Sequence, residues 1–198
     1  MPAGRDRFDQ ARLINIANVL TALRVVLIPL FAYLLISGKE PEALIVFVVC
    51  GLSDSLDGVL ARWLRQRTLV GAYLDPVADK LLMATAFIVL AYVRIVPYWL
   101  TILVISRDVF ILVGVSLYLL LLGDTGTRPT VLSKVNTAVQ VLTITYFLFV
   151  TAFPGTADAL NAGEDSAVSL GAVLLCAATT AASGAQYVYL GIRKLSRG

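Results

Sequence analysis

Ser53 to Lys80 reads SDSLDGVLARWLRQRTLVGAYLDPVADK. Within it Asp54, Asp57, Gly58, Ala61, Arg62, Gly71, Asp75 and Asp79 form the pattern D-x2-D-G-x2-A-R-x8-G-x3-D-x3-D, with apolar sequence on both sides. Ionisable groups at membrane depth are costly unless they hold a partner or serve a function. Asp54 and Asp57 stand three apart, and Asp75 and Asp79 four apart, so each pair projects from one face of its own helix. The stretch predicts two membrane helices joined by a tight turn through Gly71, pointing four carboxylates into one cavity.

The surrounding composition agrees. Of 198 residues, 59% are hydrophobic and only 15% charged, which is far from a soluble domain and marks a polytopic membrane protein. Histidine is absent, which excludes imidazole bases, His-ligated zinc and Ser-His-Asp hydrolysis. Cys50 and Cys176 both sit in apolar runs and read as buried small hydrophobes, not as a disulfide or redox pair. The expected partner is membrane lipid, and no nucleic acid.

A spanning helix needs about 20 mostly apolar residues. Six segments qualify: Asn15 to Ile36, Glu42 to Trp63, Pro76 to Arg94, Pro97 to Leu122, Lys134 to Phe153 and Ala167 to Leu190. Turn chemistry separates them at Ser37 to Pro41, Arg94 to Pro97, Gly123 to Pro129 and Pro154 to Asp165. Residues 1–14, with Arg5, Arg7 and Arg12, read as an interfacial N-terminal segment whose helix covers about Arg5 to Ile14, the competing reading being a plain disordered tail. The apolar run that follows is too long for a signal peptide.

Six crossings put both termini on one side. That side carries Arg5, Arg7, Arg12, Arg62, Arg65, Arg67, Arg128, Lys134, Arg193, Lys194 and Arg197, whereas the other carries only Lys39 and Arg94. By the positive-inside rule the termini and the acidic motif face the cytoplasm. The expected architecture is therefore all-α and integral to the membrane. It has six transmembrane helices, the interfacial segment and a cytoplasm-facing polar cavity, in one domain over residues 1–198.

An all-oxygen nest suits hard cations, Mg2+ or Mn2+, and four acids can hold two ions. Arg62, five residues after Asp57, adds a guanidinium fork that matches phosphate oxygens at the cytoplasmic rim. Gly58 and Ala61 leave room for a ligand to approach the backbone, a property that equally serves helix packing. Metal ions with an arginine over a pyrophosphate define phosphoryl-type transfer, and Asp79 can take the proton of an acceptor hydroxyl. The competing reading of the acids is an ion-pair network or the cation path of a channel or transporter.

The eight motif residues are identified as the signature of the CDP-alcohol phosphatidyltransferase family, with no departure at any fixed position. The resemblance implies a six-helix membrane fold, a homodimer, and transfer from a CDP-linked donor to a hydroxyl acceptor with release of CMP. It makes Asp54, Asp57, Asp75 and Asp79 ligands of two divalent cations, with Asp79 also the proton acceptor. Gly58, Ala61, Arg62 and Gly71 would then lie along the CDP moiety. Asn18-x2-Thr21-x2-Arg24 is similar to an element that approaches the donor nucleotide, and Thr68 occupies a further donor-contacting place. Asn18 and Thr21 would otherwise hydrogen-bond between helices, and Arg24 would pair with an acid.

Ile105 to Val109, Leu132 to Gln140 and Thr179 to Ser183 resemble the branch of the family that makes cardiolipin in eukaryotes and some bacteria. That implies CDP-diacylglycerol as donor, phosphatidylglycerol as acceptor and a bacterial cell membrane as location. Arg107 and Lys134 are the candidates for holding the acceptor's phosphodiester. The bland readings are an Arg107 to Asp108 pairing and a snorkelling Lys134. Lys80 either snorkels or pairs with an acid. The rival acceptor within the family is glycerol 3-phosphate, used in phosphatidylglycerophosphate synthesis.

Overall fold

The computed structural model describes the backbone of residues 16–64, 69–122, 130–163 and 166–195, with side chains described at 23–53, 77–114, 116, 130–163, 166–191 and 193. The elements in order are α1 (Ile16–Ile36), α2 (Glu40–Leu64), α3 (Leu69–Tyr92), α4 (Tyr98–Leu122), α5 (Val131–Ala152), α6 (Pro154–Ala159) and α7 (Ala167–Leu195). Among the described residues every element is helical. Six long helices stand where the apolar windows place them. α3 starts earlier than expected, so Pro76 lies inside it and Gly71 falls in its first turn instead of in the connection from α2. The short α6 was not anticipated; it opens on Pro154, whose missing N–H costs nothing at a first helical position.

Three helix ends are closed by one device, in which a left-handed residue lets its own N–H and that of the next residue reach back to otherwise orphaned carbonyls. After α1, Gly38 has φ 70°; its N–H donates to the Leu35 carbonyl at 3.2 Å and that of Lys39 to Leu34 at 2.9 Å. After α3 the same role falls to Arg94, with φ 65°, and after α6 to Asn161, with φ 52°. Glycine suits this conformation, whereas a side chain such as that of Arg94 costs about 1–2 kcal/mol there. Arg94→Gly is accordingly expected to raise the melting temperature by about 2–4 °C, measured by thermal denaturation in detergent; a lower melting temperature would contradict the strain.

α1 packs on both α2 and α3, α5 packs on α2 and α7, and α4 packs on α7 and α3. Ile28, Phe31 and Leu35 of α1, Ala43, Phe47 and Cys50 of α2, and Leu82, Met83, Ala86, Phe87 and Leu90 of α3 share one core with Leu100, Ile144, Phe147, Leu148 and Cys176. Phe31 and Phe47 meet with ring centroids 5.8 Å apart, and the Thr101 hydroxyl donates to the Phe87 carbonyl at 3.1 Å, tying α4 to α3. Both cysteines are free and buried, as their apolar surroundings require.

The outer surface is also rich in large apolar side chains. Val26, Ile45, Ile88, Phe110, Leu142 and Leu174, one from each long helix, are exposed, Phe110 to 74%. Helices that are apolar all round belong in a larger core or a bilayer. Among the described residues, Val131–Ala152 and Ala167–Gly191 are long and apolar enough to cross a membrane by length and composition.

Candidate active site

In α1, α2 and α3 the buried stripe changes character along the helix. On α1 it runs Arg24, Ile28, Phe31, Leu35, at helical spacings of three and four. Continued toward the N-terminus, the same register reaches Thr21, with Asn18 one turn further. On α2 it runs Ala43, Phe47, Cys50, and the register continues through Asp54, Asp57 and Ala61. On α3, Ala78, Leu82, Met83, Ala86 and Leu90 are buried, and the register leads back through half-buried Asp79 to Asp75. The turn at Ser37 to Lys39 joins the apolar ends of α1 and α2. The polar positions of α2 and α3 therefore stand on the helix ends that flank the connection between these two helices in sequence.

Arg24 is a cation only 2% exposed, on the helix that packs against both acid-bearing helices. Burying a guanidinium is tolerable only where negative charge offsets it. Those helices carry six carboxylates, four of them in the motif. Thr68 and the interfacial segment lie outside the described residues, as do the side chains of Asn18, Thr21, Asp54, Asp57, Ala61, Arg62 and Asp75; Gly58 and Gly71 are described only as helical backbone. Among the described residues alone, no group of three potential ligands assembles. The donor set fits a hard divalent cation nonetheless: two helical pairs, three and four apart, offering only carboxylate oxygen.

A second polar cluster occupies α4, α5 and α7. Arg107 is 5% exposed, and its Nη1 donates to Asp108 at 2.6 Å, the local pairing foreseen as its bland reading. Its Nη2 donates to the Ser133 hydroxyl of α5 at 2.8 Å and to the Ser183 hydroxyl of α7 at 2.5 Å. The guanidinium lies 5.9 Å from the Tyr187 ring centre, within cation–π range. A Cβ at Gly184 would meet Arg107 Cγ at 3.6 Å, so the stem lies along α7 in ordinary contact. Lys80, the residue after Asp79, donates to the other oxygen of Asp108 at 2.7 Å. A continuous set of contacts thus leads from the α3 turn bearing Asp79 through Asp108 and Arg107 to α5 and α7. Lys134 is exposed in the first turn of α5.

Deeper between α5 and α7, Gln140 Nε2 donates to Thr180 Oγ1 at 3.4 Å, and Thr180 Oγ1 donates to Asn136 Oδ1 at 2.9 Å. Asn136, Gln140, Thr180 and Ser183 are all buried. The sequence reading did not single out Asp108, Asn136, Gln140, Thr180 or Ser183 as site residues. A detectable signal existed: polar residues at spacings of three and four inside apolar spans, on α5 at Ser133, Asn136 and Gln140 and on α7 at Thr180, Ser183 and Tyr187.

Comparison with known proteins gives a match to the CDP-alcohol phosphatidyltransferase family model over residues 14–182. The cardiolipin synthase (CMP-forming) of Homo sapiens is 34% identical over 195 residues, covering 89% of this chain and 62% of the human protein. A protein of Drosophila melanogaster named "Probable cardiolipin synthase (CMP-forming)" is 36% identical over 161 residues, 71% of this chain and 50% of the fly protein. One of Mycobacterium tuberculosis named "Probable phosphatidylglycerophosphate synthase" is 34% identical over 146 residues, 70% of this chain and 68% of the mycobacterial protein. The chain thus spans between one half and two thirds of the human and fly relatives.

Proposed function

The chain belongs to the CDP-alcohol phosphatidyltransferase family, and from that premise we propose that it is a cardiolipin synthase, moving a phosphatidyl group from CDP-diacylglycerol to phosphatidylglycerol and releasing CMP. The observation that carries the acceptor is the buried cation of the second cluster, Arg107. Arg107 is already paired with Asp108, and Lys80 contacts the same carboxylate. One carboxylate faces two cations there, so among the described residues net positive charge remains at this cluster and at Lys134 to meet the phosphodiester of a lipid acceptor. The likeness to the human cardiolipin synthase supports the same choice.

Six helices cross the bilayer in this reading. The long helices have 21 to 29 residues, and 21 residues at about 1.5 Å each already match a hydrocarbon core of about 30 Å. The charge asymmetry puts both termini and the acidic site at the cytoplasmic face, and two protomers pair as a homodimer.

Asp54, Asp57, Asp75 and Asp79 would hold two divalent cations, Mg2+ or Mn2+, which when bound supply charge stabilisation at the diphosphate. Asn18, Thr21, Arg24, Gly58, Ala61, Arg62, Thr68 and Gly71 bind the CDP-diacylglycerol headgroup, with Arg62 and Arg24 opposing its negative charge. Asp79 takes the proton from the free hydroxyl of phosphatidylglycerol. That oxygen forms a new bond to the phosphorus carrying diacylglycerol, and the phosphorus–oxygen bond to CMP breaks, so CMP leaves with the electron pair. Arg107 and Lys134 hold the acceptor's phosphodiester.

The reading is tested by incubating purified protein with CDP-diacylglycerol and Mg2+ or Mn2+ and offering phosphatidylglycerol, glycerol 3-phosphate or inositol phosphate in parallel, with the lipid product identified by mass spectrometry. Cardiolipin from phosphatidylglycerol alone is expected. Product from glycerol 3-phosphate alone would reassign the acceptor to that of the mycobacterial relative's namesake reaction while leaving the transferase class intact. Cation flux without CMP release would mean a channel or transporter.

A further inference from the structure

Asn136 is fully buried on α5, and its Nδ2 has no hydrogen-bond partner. Its orientation follows from its neighbours. Thr180 Oγ1 accepts from Gln140 and spends its own proton on Asn136 Oδ1, so the carbonyl end of the amide is engaged and the NH2 end is directed elsewhere. A buried amide donor with nothing to donate to is expensive, and an apolar residue of similar size would avoid the cost. The site is therefore built for an oxygen that arrives with a ligand.

Two neighbours show matching shortages. Arg107 is held by Ser133 and Ser183, each one helical turn from Asn136 and from its partner Thr180, and Arg107 Nε is buried without an acceptor. One turn beyond Ser183, Gln186 has a buried Oε1 without a donor. Two N–H groups, one of them on a guanidinium, lack acceptors, and one carbonyl lacks a donor. The complement is an anionic, oxygen-rich group that also carries a hydroxyl. A phosphodiester bearing a glycerol diol has that set; an ammonium headgroup would bring a second cation to Arg107.

We propose that Asn136 is a specificity-determining residue for the acceptor, donating from Nδ2 to an oxygen of its glycerol-phosphate headgroup beside Arg107, with Gln186 accepting the headgroup's hydroxyl. This rests on the cardiolipin synthase reading above and adds to it the residues that recognise the acceptor. Gln140 and Thr180 are positioning residues that act through Asn136.

The test uses the full chain in detergent with saturating CDP-diacylglycerol, varying phosphatidylglycerol or phosphatidyl-1,3-propanediol, which keeps a reactive hydroxyl but lacks the neighbouring one. The wild type is expected to favour phosphatidylglycerol. Asn136→Asp, which keeps the shape and replaces the donor by a carboxylate, is expected to raise the acceptor KM at least tenfold while the donor KM moves less than threefold. Asn136→Leu should narrow the preference between the two acceptors. Thr180→Val should raise the acceptor KM less than Asn136→Leu does, and the double variant should be no worse than Asn136→Leu alone.

An acceptor KM within twofold of wild type in Asn136→Asp overturns the proposal. So do parallel rises in both KM values with a lowered melting temperature, or failure of all three single variants to fold, since each marks the cluster as structural. A wild type that makes no product from phosphatidylglycerol overturns the function itself; active wild type with unaltered variants overturns only the role of Asn136.

Discussion

Asp79→Asn is expected to lower CMP release from CDP-diacylglycerol and phosphatidylglycerol by about a thousandfold or more, while the protein still elutes as a folded species from size exclusion. The substitution keeps the size of the side chain and removes the proposed base together with one anionic oxygen of the proposed ligand set. General-base removal alone costs about 10²–10⁴-fold, and the lost ligand adds to it. Folding is spared because Asp79 is half-buried on a stripe whose packing is carried by Ala78, Leu82 and Met83. Turnover close to wild type in a folded Asp79→Asn protein would remove the residue from the base role and leave the transfer without an identified proton acceptor.

The largest stability effect is expected at Asp108, which receives Arg107 at 2.6 Å and Lys80 at 2.7 Å. Asp108→Ala strands a guanidinium that is 5% exposed. Breaking a buried pair from one side costs about 3–5 kcal/mol, equivalent to a fall in melting temperature of about 6–20 °C for a chain of this size. Lys80 contributes little to that fall, because it is half-exposed and can reach water when its partner is lost. The double variant Arg107→Leu, Asp108→Leu should recover part of the loss, since it removes the stranded buried charge and leaves only the neutral Ser133 and Ser183 hydroxyls without the guanidinium, with Lys80 free to reach water. Thermal denaturation of the three proteins in one detergent measures this, and an unchanged melting temperature in Asp108→Ala would contradict the ion pair as a structural tie.

The long helices were legible because each is a lengthy apolar run bounded by turn chemistry, which leaves little choice of boundary. α4 and α5 begin within three residues of expectation, at Tyr98 and Val131. α3 was misread at its start because Pro76 normally marks a first turn, yet here it is carried inside a helix that begins at Leu69. α6 escaped notice because six residues between two turns leave no periodicity to read.

At the site, the acids were conspicuous through their cost in apolar sequence, and Arg24 lies, as a buried cation, on the helix that packs against both acid-bearing helices. The second cluster was not legible as a unit. Arg107 and Ser183 lie 76 residues apart, and only the packing of α4 and α5 against α7 brings their hydrogen bond into being. The exception is the Arg107 to Asp108 pair, where adjacency in sequence sufficed. That Lys80 would choose Asp108 depends on the α3 to α4 contact, which no spacing within either helix encodes.

If the four motif acids grip divalent cations around a nucleotide diphosphate, CMP release by purified, chelator-stripped protein supplied with CDP-diacylglycerol and phosphatidylglycerol depends on the Mg2+ or Mn2+ titrated back. The account predicts no CMP in excess chelator and saturable recovery with either ion, with recovery lost or shifted to higher ion concentration in Asp54→Asn and Asp75→Asn. CMP released at full rate in excess chelator would contradict it.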